Sequence, residues 1–170
     1  MPVPSPLTDK ILAFAEVPDF RYDEAVDWAV DMLVRGYDTP SLLILASLSR
    51  PTNQWEALGY IKAAVHELGF SLEEGEAATR RYARYVVGQV AAGSRPALTE
   101  LYREFNGTDY HALLQDFISL YWAWVDFDLG DTFSYYWPDA TPQNIAQLVQ
   151  AEAQQWLAAN PALTGGPPYS

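Results

Sequence analysis

Cysteine is absent from the 170 residues. That excludes a disulfide framework, a thiol nucleophile and a thiolate metal site, and it leaves the chain compatible with a reducing compartment. Basic side chains are scarce, with ten Lys and Arg against twenty-two Asp and Glu, a formal charge of −12. A field of that sign repels phosphate backbones and acidic lipid surfaces, so neither nucleic acid nor membrane is an expected partner. No run of eighteen apolar residues occurs, which leaves no segment long enough for a membrane span. The opening MPVPSPLTDK holds three prolines, a single Lys and no apolar stretch, so it does not read as a secretory signal. A cytoplasmic protein is the resulting expectation.

The common catalytic signatures are missing as well. The chain has no phosphate-cradling glycine loop, no G-x-S-x-G elbow and no H-E-x-x-H pair, which leaves nucleotide and zinc-protease chemistry without a scaffold. Its two histidines, His66 and His111, fall on separate expected helices and read as structural or exposed groups. The run Asp126-Phe127-Asp128-Leu129-Gly130-Asp131 has acidic residues at alternating positions, but its glycine is fifth, and Trp137 stands where a calcium loop places its bidentate Glu. A helix end followed by a turn explains those aspartates as well. No catalytic residue, metal ligand or cofactor is therefore assigned. Paired carboxylates of the glycosidase kind leave little trace in sequence, so enzymatic activity stays open as a secondary reading.

What the chain does have is helical punctuation. The spacing predicts an all-α fold of seven or eight helices in helical-hairpin packing, a single compact domain over 1–170 with an ordered core at about 8–160 and a flexible tail, 161–170, ending in GGPPYS. Expected caps are Thr8 for a helix to Ala15, Asp23 for a helix stopped at Gly36, and Thr39-Pro40 for the apolar segment SLLILASL, placed in the middle of the core. Thr52 is expected to cap a helix bearing Trp55, Leu58, Ile61, Val65 and Leu68 and closed by Gly69. Ser71 and Glu74 form a capping box for a helix closed by Gly93. Pro96 opens a helix to Phe105 with a left-handed stop at Asn106-Gly107. Tyr110, Leu113, Leu114, Phe117, Leu120, Tyr121 and Trp124 mark one stripe of a helix from Asp109 to about Phe127. Thr141-Pro142 then starts the last helix. A shift of 33 residues also superimposes Leu12-Ala13, Pro18, Tyr22-Asp23 and Gly36 on Leu45-Ala46, Pro51, Trp55-Glu56 and Gly69, the pattern of two related helical hairpins.

Charge and aromatic content concentrate toward the carboxy terminus. Arg103 is the last basic side chain, and eight carboxylates follow from Glu104 onward. Tyr121–Ala140 reads YWAWVDFDLGDTFSYYWPDA, half expected core helix and half a long loop, from Asp128 to Thr141. Loops of that length are uncommon unless they act. Either Phe133, Tyr135 and Trp137 alternate inward as a short strand or cover with Tyr136 outside, or Tyr and Trp form a hot spot rimmed by carboxylates. On the second reading the partner-binding residues are Asp126, Asp128, Asp131, Tyr135, Tyr136, Trp137 and Asp139, and the partner is a cationic protein steered by the one-signed field.

The succession GYDTPSLLILASLSRP, HELGF, LYREF, FISLYWAWVDFDLGD, SYYWPDATPQNI and EAQQWL, about residues 24 to 157, resembles small acidic helical proteins of bacteria. Some of these serve as immunity proteins in contact-dependent or polymorphic toxin systems. The resemblance implies steric blockade of a basic toxin or nuclease by a carboxylate-rich, aromatic surface, and it carries over no specific binding residue. The alternatives are a small-molecule or carbohydrate-binding domain, hydrolytic or not, and an oligomerising module in which the aromatics pack on a second copy of the chain.

Overall fold

Helix-forming segments broken by proline and glycine dictate the architecture seen in the computed structural model, which describes residues 2–161. Among these the chain is all-α, with eight α-helices and no strand. The helices are α1 (Leu7–Leu12), α2 (Tyr22–Val34), α3 (Pro40–Ala46), α4 (Gln54–Glu67), α5 (Gly75–Ala91), α6 (Arg95–Phe105), α7 (Gln115–Asp128) and α8 (Ile145–Ala159), with short 3-10 turns at Phe14–Glu16 and His111–Leu114. They fall into two compact units, residues 2–85 and 86–161, and the division lies within α5. The expectation for the GGPPYS tail lies outside the described residues.

In the first unit the 33-residue repeat takes physical form. Short α1 and long α2 make one hairpin, short α3 and long α4 the next, and each long helix stops at a glycine of positive φ, Gly36 and Gly69. At these stops Tyr37 N–H bonds Met32 C=O and Phe70 N–H bonds Val65 C=O, the wrap-around closure that a left-handed residue permits. Thr39 caps α3 as expected, accepting from Leu42 N–H. The hairpins share a core built on Trp28, Met32, Leu42, Leu45 and Ile61.

Several expected caps serve tertiary bonds instead. Thr8 lies inside α1, whose N-cap is Pro6; its hydroxyl accepts the Nε1–H of fully buried Trp28 at 3.0 Å. A buried indole needs an acceptor, and that need outweighs a local cap. Asp23 sits in the first turn of α2 and accepts from Thr52 N–H at 2.8 Å and Thr52 Oγ1 at 2.6 Å. Thr52 is thereby withdrawn from capping α4, and Asn53 takes its place. α3 is not in the middle of the core: Ser41, Leu42 and Leu45 are buried, while Leu43 and Ile44 face solvent. Trp55, expected on the buried stripe of α4, is 79% exposed because it occupies the first turn.

Carboxylates close both hairpins. The Ser5 hydroxyl lies by Asp31 and favours its ionised form, and Ser41 donates to Glu67 from its N–H at 3.1 Å and its Oγ at 2.7 Å. α5 begins at Gly75, not at a Ser71–Glu74 box. Arg81 draws Glu73 away, donating to both its oxygens at 3.0 and 2.6 Å and to Asp9 at 2.7 Å. Glu73 N–H also bonds Leu12 C=O. Segment 71–74 is thus a strap between α1 and α5 where a helical first turn was expected.

The second unit buries Leu98, Leu101 and Phe105 of α6, Phe117, Leu120 and Ala123 of α7, and Ile145, Val149 and Trp156 of α8. Ser94 caps α6 by accepting from Ala97 N–H. Asn106 is extended, and Gly107 alone supplies the left-handed stop. α7 starts at Gln115, six residues later than the periodicity implied, because the chain first makes a 3-10 turn that leaves Leu113 exposed. That turn is useful to α8, since Leu113 C=O accepts the Trp156 Nε1–H at 3.1 Å. Thr141 and Asn144 cap each other reciprocally, and the regular helix follows at Ile145.

Removing the strap anchor should be felt. Arg81→Ala is expected to destabilise the chain by about 1–2 kcal/mol, a buried-pair loss discounted for the solvent the guanidinium still reaches. An unchanged urea midpoint would show that Asp9 and Glu73 do not depend on it. The closures also predict a pH dependence. The hydroxyls of Thr52, Ser5 and Ser41 hold Asp23, Asp31 and Glu67 below their ordinary pKa values. A depressed folded pKa gives stability that is complete above the unfolded value, near 4, and is lost as pH falls through the folded one. Urea midpoints should therefore fall between about pH 5 and pH 3, and Glu67→Gln should fall less steeply than the parent. Equal slopes would remove Glu67 from the account.

Candidate interaction surface

The 129–144 connection carries no strand, and its inward positions are small. Ser134 and Ala140 are buried, whereas Phe133 is 50%, Tyr135 89% and Tyr136 52% exposed, and Trp137 is half-buried. The inward alternation of Phe133, Tyr135 and Trp137 is therefore corrected: Phe133 and Tyr135 face outward, Trp137 alone of the three is half-buried, Ser134 takes the inward place, and Tyr136 is outside as expected. The Ser134 hydroxyl donates to Asp126 Oδ2 at 2.8 Å and accepts Tyr136 N–H at 3.2 Å. Asp131 N–H returns to Asp126 C=O, Ala140 N–H bonds Trp137 C=O, and Asn144 Nδ2 donates to Asp139 C=O at 3.1 Å. The loop is held by its backbone and its small residues while its rings point away.

Those rings meet a second aromatic set on the helices. Tyr102 of α6 stacks on Tyr121 of α7 at 4.2 Å between centroids and 7° between planes. Trp122 stands edge-on to both, at 5.3 and 5.4 Å. Tyr136 stacks on Trp122 at 6.1 Å, and Phe133 meets Tyr135 edge-on at 5.0 Å. All four of Tyr102, Tyr121, Trp122 and Tyr136 keep solvent contact. Offset and edge geometries of this kind are favourable for aromatic pairs and rigidify the patch.

The sequence-expected acidic residues do not act as one group. Asp126 faces Ser134 and the loop. Asp128, two residues on, pairs instead with Arg95 at the start of α6, whose guanidinium also lies 4.3 Å above the Trp124 ring. Asp131 and Asp139 are exposed on the loop. Residues 86–161 carry nine carboxylates against two arginines, Arg95 and Arg103. Arg103 bonds its neighbour Glu104 at 2.6 Å.

Three features were missed in the sequence. Tyr102, Trp122 and Ser134 complete the patch; Ser134 had no signal beyond being the one small residue among aromatics. A pocket of about 120 Å³ lies beside Arg95 and Trp124, lined also by Gly93, Val149 and Gln150. It is below the ~300 Å³ that small-molecule sites usually offer. Finally, Asp116 of α7 stands close enough to Glu152 of α8 for the two carboxyls to influence each other. Among the described residues no three His, Asp or Glu side chains gather as a metal-binding set. His111, between Gly107 N–H at Nδ1 and Gln115 Oε1 at Nε2, braces the turn before α7.

Comparison with family models, with curated proteins and with solved structures gives no match in any of the three. The surface itself therefore carries the functional reading.

Burial and the neighbouring Asp116 carboxyl together push the Glu152 carboxyl above its usual pKa. A raised folded pKa means that ionising Glu152 at neutral pH costs stability and protonation restores it. Glu152→Gln is expected to raise the melting temperature by a few degrees at pH 7, with the gain fading as pH falls toward about 4. A variant no more stable than the parent at pH 7 would dissolve the pair.

Proposed function

We propose that the second unit is a protein-binding module for a cationic partner, acting as a non-catalytic inhibitor of the immunity type that covers the active site of a basic toxin or nuclease. One observation carries the reading: three aromatic residues, Phe133, Tyr135 and Tyr136, are at least half exposed on a loop anchored by buried Ser134. Soluble proteins seldom display clustered rings without a partner for them. Tyr and Trp give large contact area at low entropic cost and are the residues in which binding energy concentrates.

The charge distribution gives the partner its sign. Nine carboxylates against two arginines surround this patch in the sequence of the unit. Such a field accelerates encounter with a basic protein, while the rings, once desolvated, govern how long the complex lasts. The likeness of the motif order to small acidic bacterial proteins supports the same reading. Among the described residues no helix is long and apolar enough to cross a membrane.

The test is capture from the native cell lysate at low salt on immobilised chain, followed by a salt wash and mass spectrometry. The expected result is a basic protein released by salt, with retention about ten-fold weaker or more on Tyr136→Ala, the scale of a hot-spot truncation. Asp131→Asn with Asp139→Asn should slow its association and flatten the salt dependence. Equal retention by the parent and Tyr136→Ala, or recovery of nothing but this same chain, would overturn the proposal.

A further inference from the structure

Arg95 occupies an unfavourable place for its charge. It is the first residue of α6, where the helix dipole disfavours a cation. What offsets this is a cradle on α7. The guanidinium lies over the Trp124 ring at 4.3 Å and donates to both oxygens of Asp128, one at 3.4 Å and the other closer. Asp128 thus belongs to a clamp that stacks and forks at once, the geometry a guanidinium satisfies and an ammonium does not. The clamp is open to water, with the Arg95 side chain 44% and Asp128 52% exposed.

The clamp is continuous with the aromatic patch. Tyr102 lies seven residues after Arg95 on α6, and Tyr121 lies three before Trp124 and seven before Asp128 on α7. Each set falls on one helical stripe. The stack of Tyr102 on Tyr121 therefore lies along the same α6–α7 seam that ends at Arg95.

We propose that the Trp124–Asp128 clamp is an arginine-binding subsite of this surface, held closed by Arg95 as an internal stand-in, and that a partner's arginine takes the site by displacing it. This rests on the proposal that the surface binds a cationic protein, and it names the side chain the surface selects. The Arg95 side chain already reaches solvent, so on displacement it can swing into water without losing hydration. The plug lowers the affinity of the site for cations, most of all for arginine, the cation that suits the indole face and the carboxylate together.

Octa-arginine and octa-lysine are the probes, titrated by fluorescence anisotropy at low salt into the full chain and into Arg95→Gln, Arg103→Gln and Tyr136→Ala. Arg95→Gln should tighten octa-arginine by about three- to five-fold, the scale of one exposed cation–π and ion-pair contact. Octa-lysine should gain less. Arg103→Gln makes the same charge change away from the clamp and should move octa-arginine less than two-fold, at about the level of general screening. If Arg95→Gln binds octa-arginine no tighter than the parent, or gains no more than Arg103→Gln, the stand-in role is overturned. The surface reading is separated by Tyr136→Ala: weakened octa-arginine binding there keeps the surface even if the clamp fails, and binding unchanged by Tyr136→Ala removes both.

Discussion

A hydroxyl with no exposed surface, that of Ser134, donates to the Asp126 carboxylate and accepts the Tyr136 N–H, and the placement of three aromatic rings follows from those two bonds. A buried hydroxyl left unpaired is costly, so the loop cannot turn Ser134 outward without losing both partners. With Ser134 inward, its neighbours Phe133 and Tyr135 stand outward, 50% and 89% exposed. Tyr136, held at its own N–H, lies on Trp122. The hydrophobic effect acting on Phe133 and Tyr135 alone would bury them. The two bonds of Ser134 hold the loop with that small residue inward instead.

Scarcity of basic residues shapes the rest. In the first unit Lys10, Arg35, Arg50 and Arg81 are all engaged with carboxylates, and Arg81 alone binds two. Lys10 is as enclosed as Arg81, bonded to Glu24 at 2.8 Å and set over the Tyr85 ring. Lys10 and Arg81 tie the six-residue α1 to α2 and α5, whereas Arg35 pairs within the end of α2, Arg50 ties the 47–53 connection to α2, and the short α3 is held by Ser41 on Glu67 without a cation. In the second unit the helices are longer and the two arginines neutralise little, so its acidic field remains. Internal cohesion and external charge are thus divided along the chain by where arginine was placed.

Much of this was legible in the sequence, and the failures share a cause. Gly36, Gly69 and Gly93 stopped their helices as read, because a left-handed stop is a backbone property that tertiary context rarely overrides. Thr8, Asp23, Thr52 and the Ser71–Glu74 pair were misread as caps because their oxygens suit a helix N-terminus and a distant donor equally well. In each region a distant donor or a strap won. The short α3 was read as central because it is apolar nearly all round, yet it buries only the side that carries Ser41, Leu42 and Leu45. The candidate site failed in a more avoidable way. Asp126 and Asp128 were grouped together, although residues two apart on a helix project to different sides. Their separation between the Ser134 loop and Arg95 was implicit in helical geometry. That Arg95 returns to Asp128 was not, since nothing in sequence separation reports the antiparallel pairing of α6 and α7.

Under the proposed reading, the stacked cluster explains how a small acidic unit could hold a partner firmly. Ordering flexible side chains is a main cost of association, and long-range charge contributes mostly to encounter. Here Tyr102, Tyr121, Trp122 and Tyr136 already constrain one another in stacked and edge contacts, so little rotamer freedom remains to be lost on binding. The carboxylates can stay solvated at the rim, where they steer without a desolvation penalty. Asp128 differs, because its charge is matched within the chain; any gain there requires an exchange of one guanidinium for another. Such an exchange favours arginine over lysine, because only a guanidinium stacks and forks at once. A surface whose outer charge accepts any cation and whose clamp prefers arginine would admit many encounters and hold longest those that present a guanidinium.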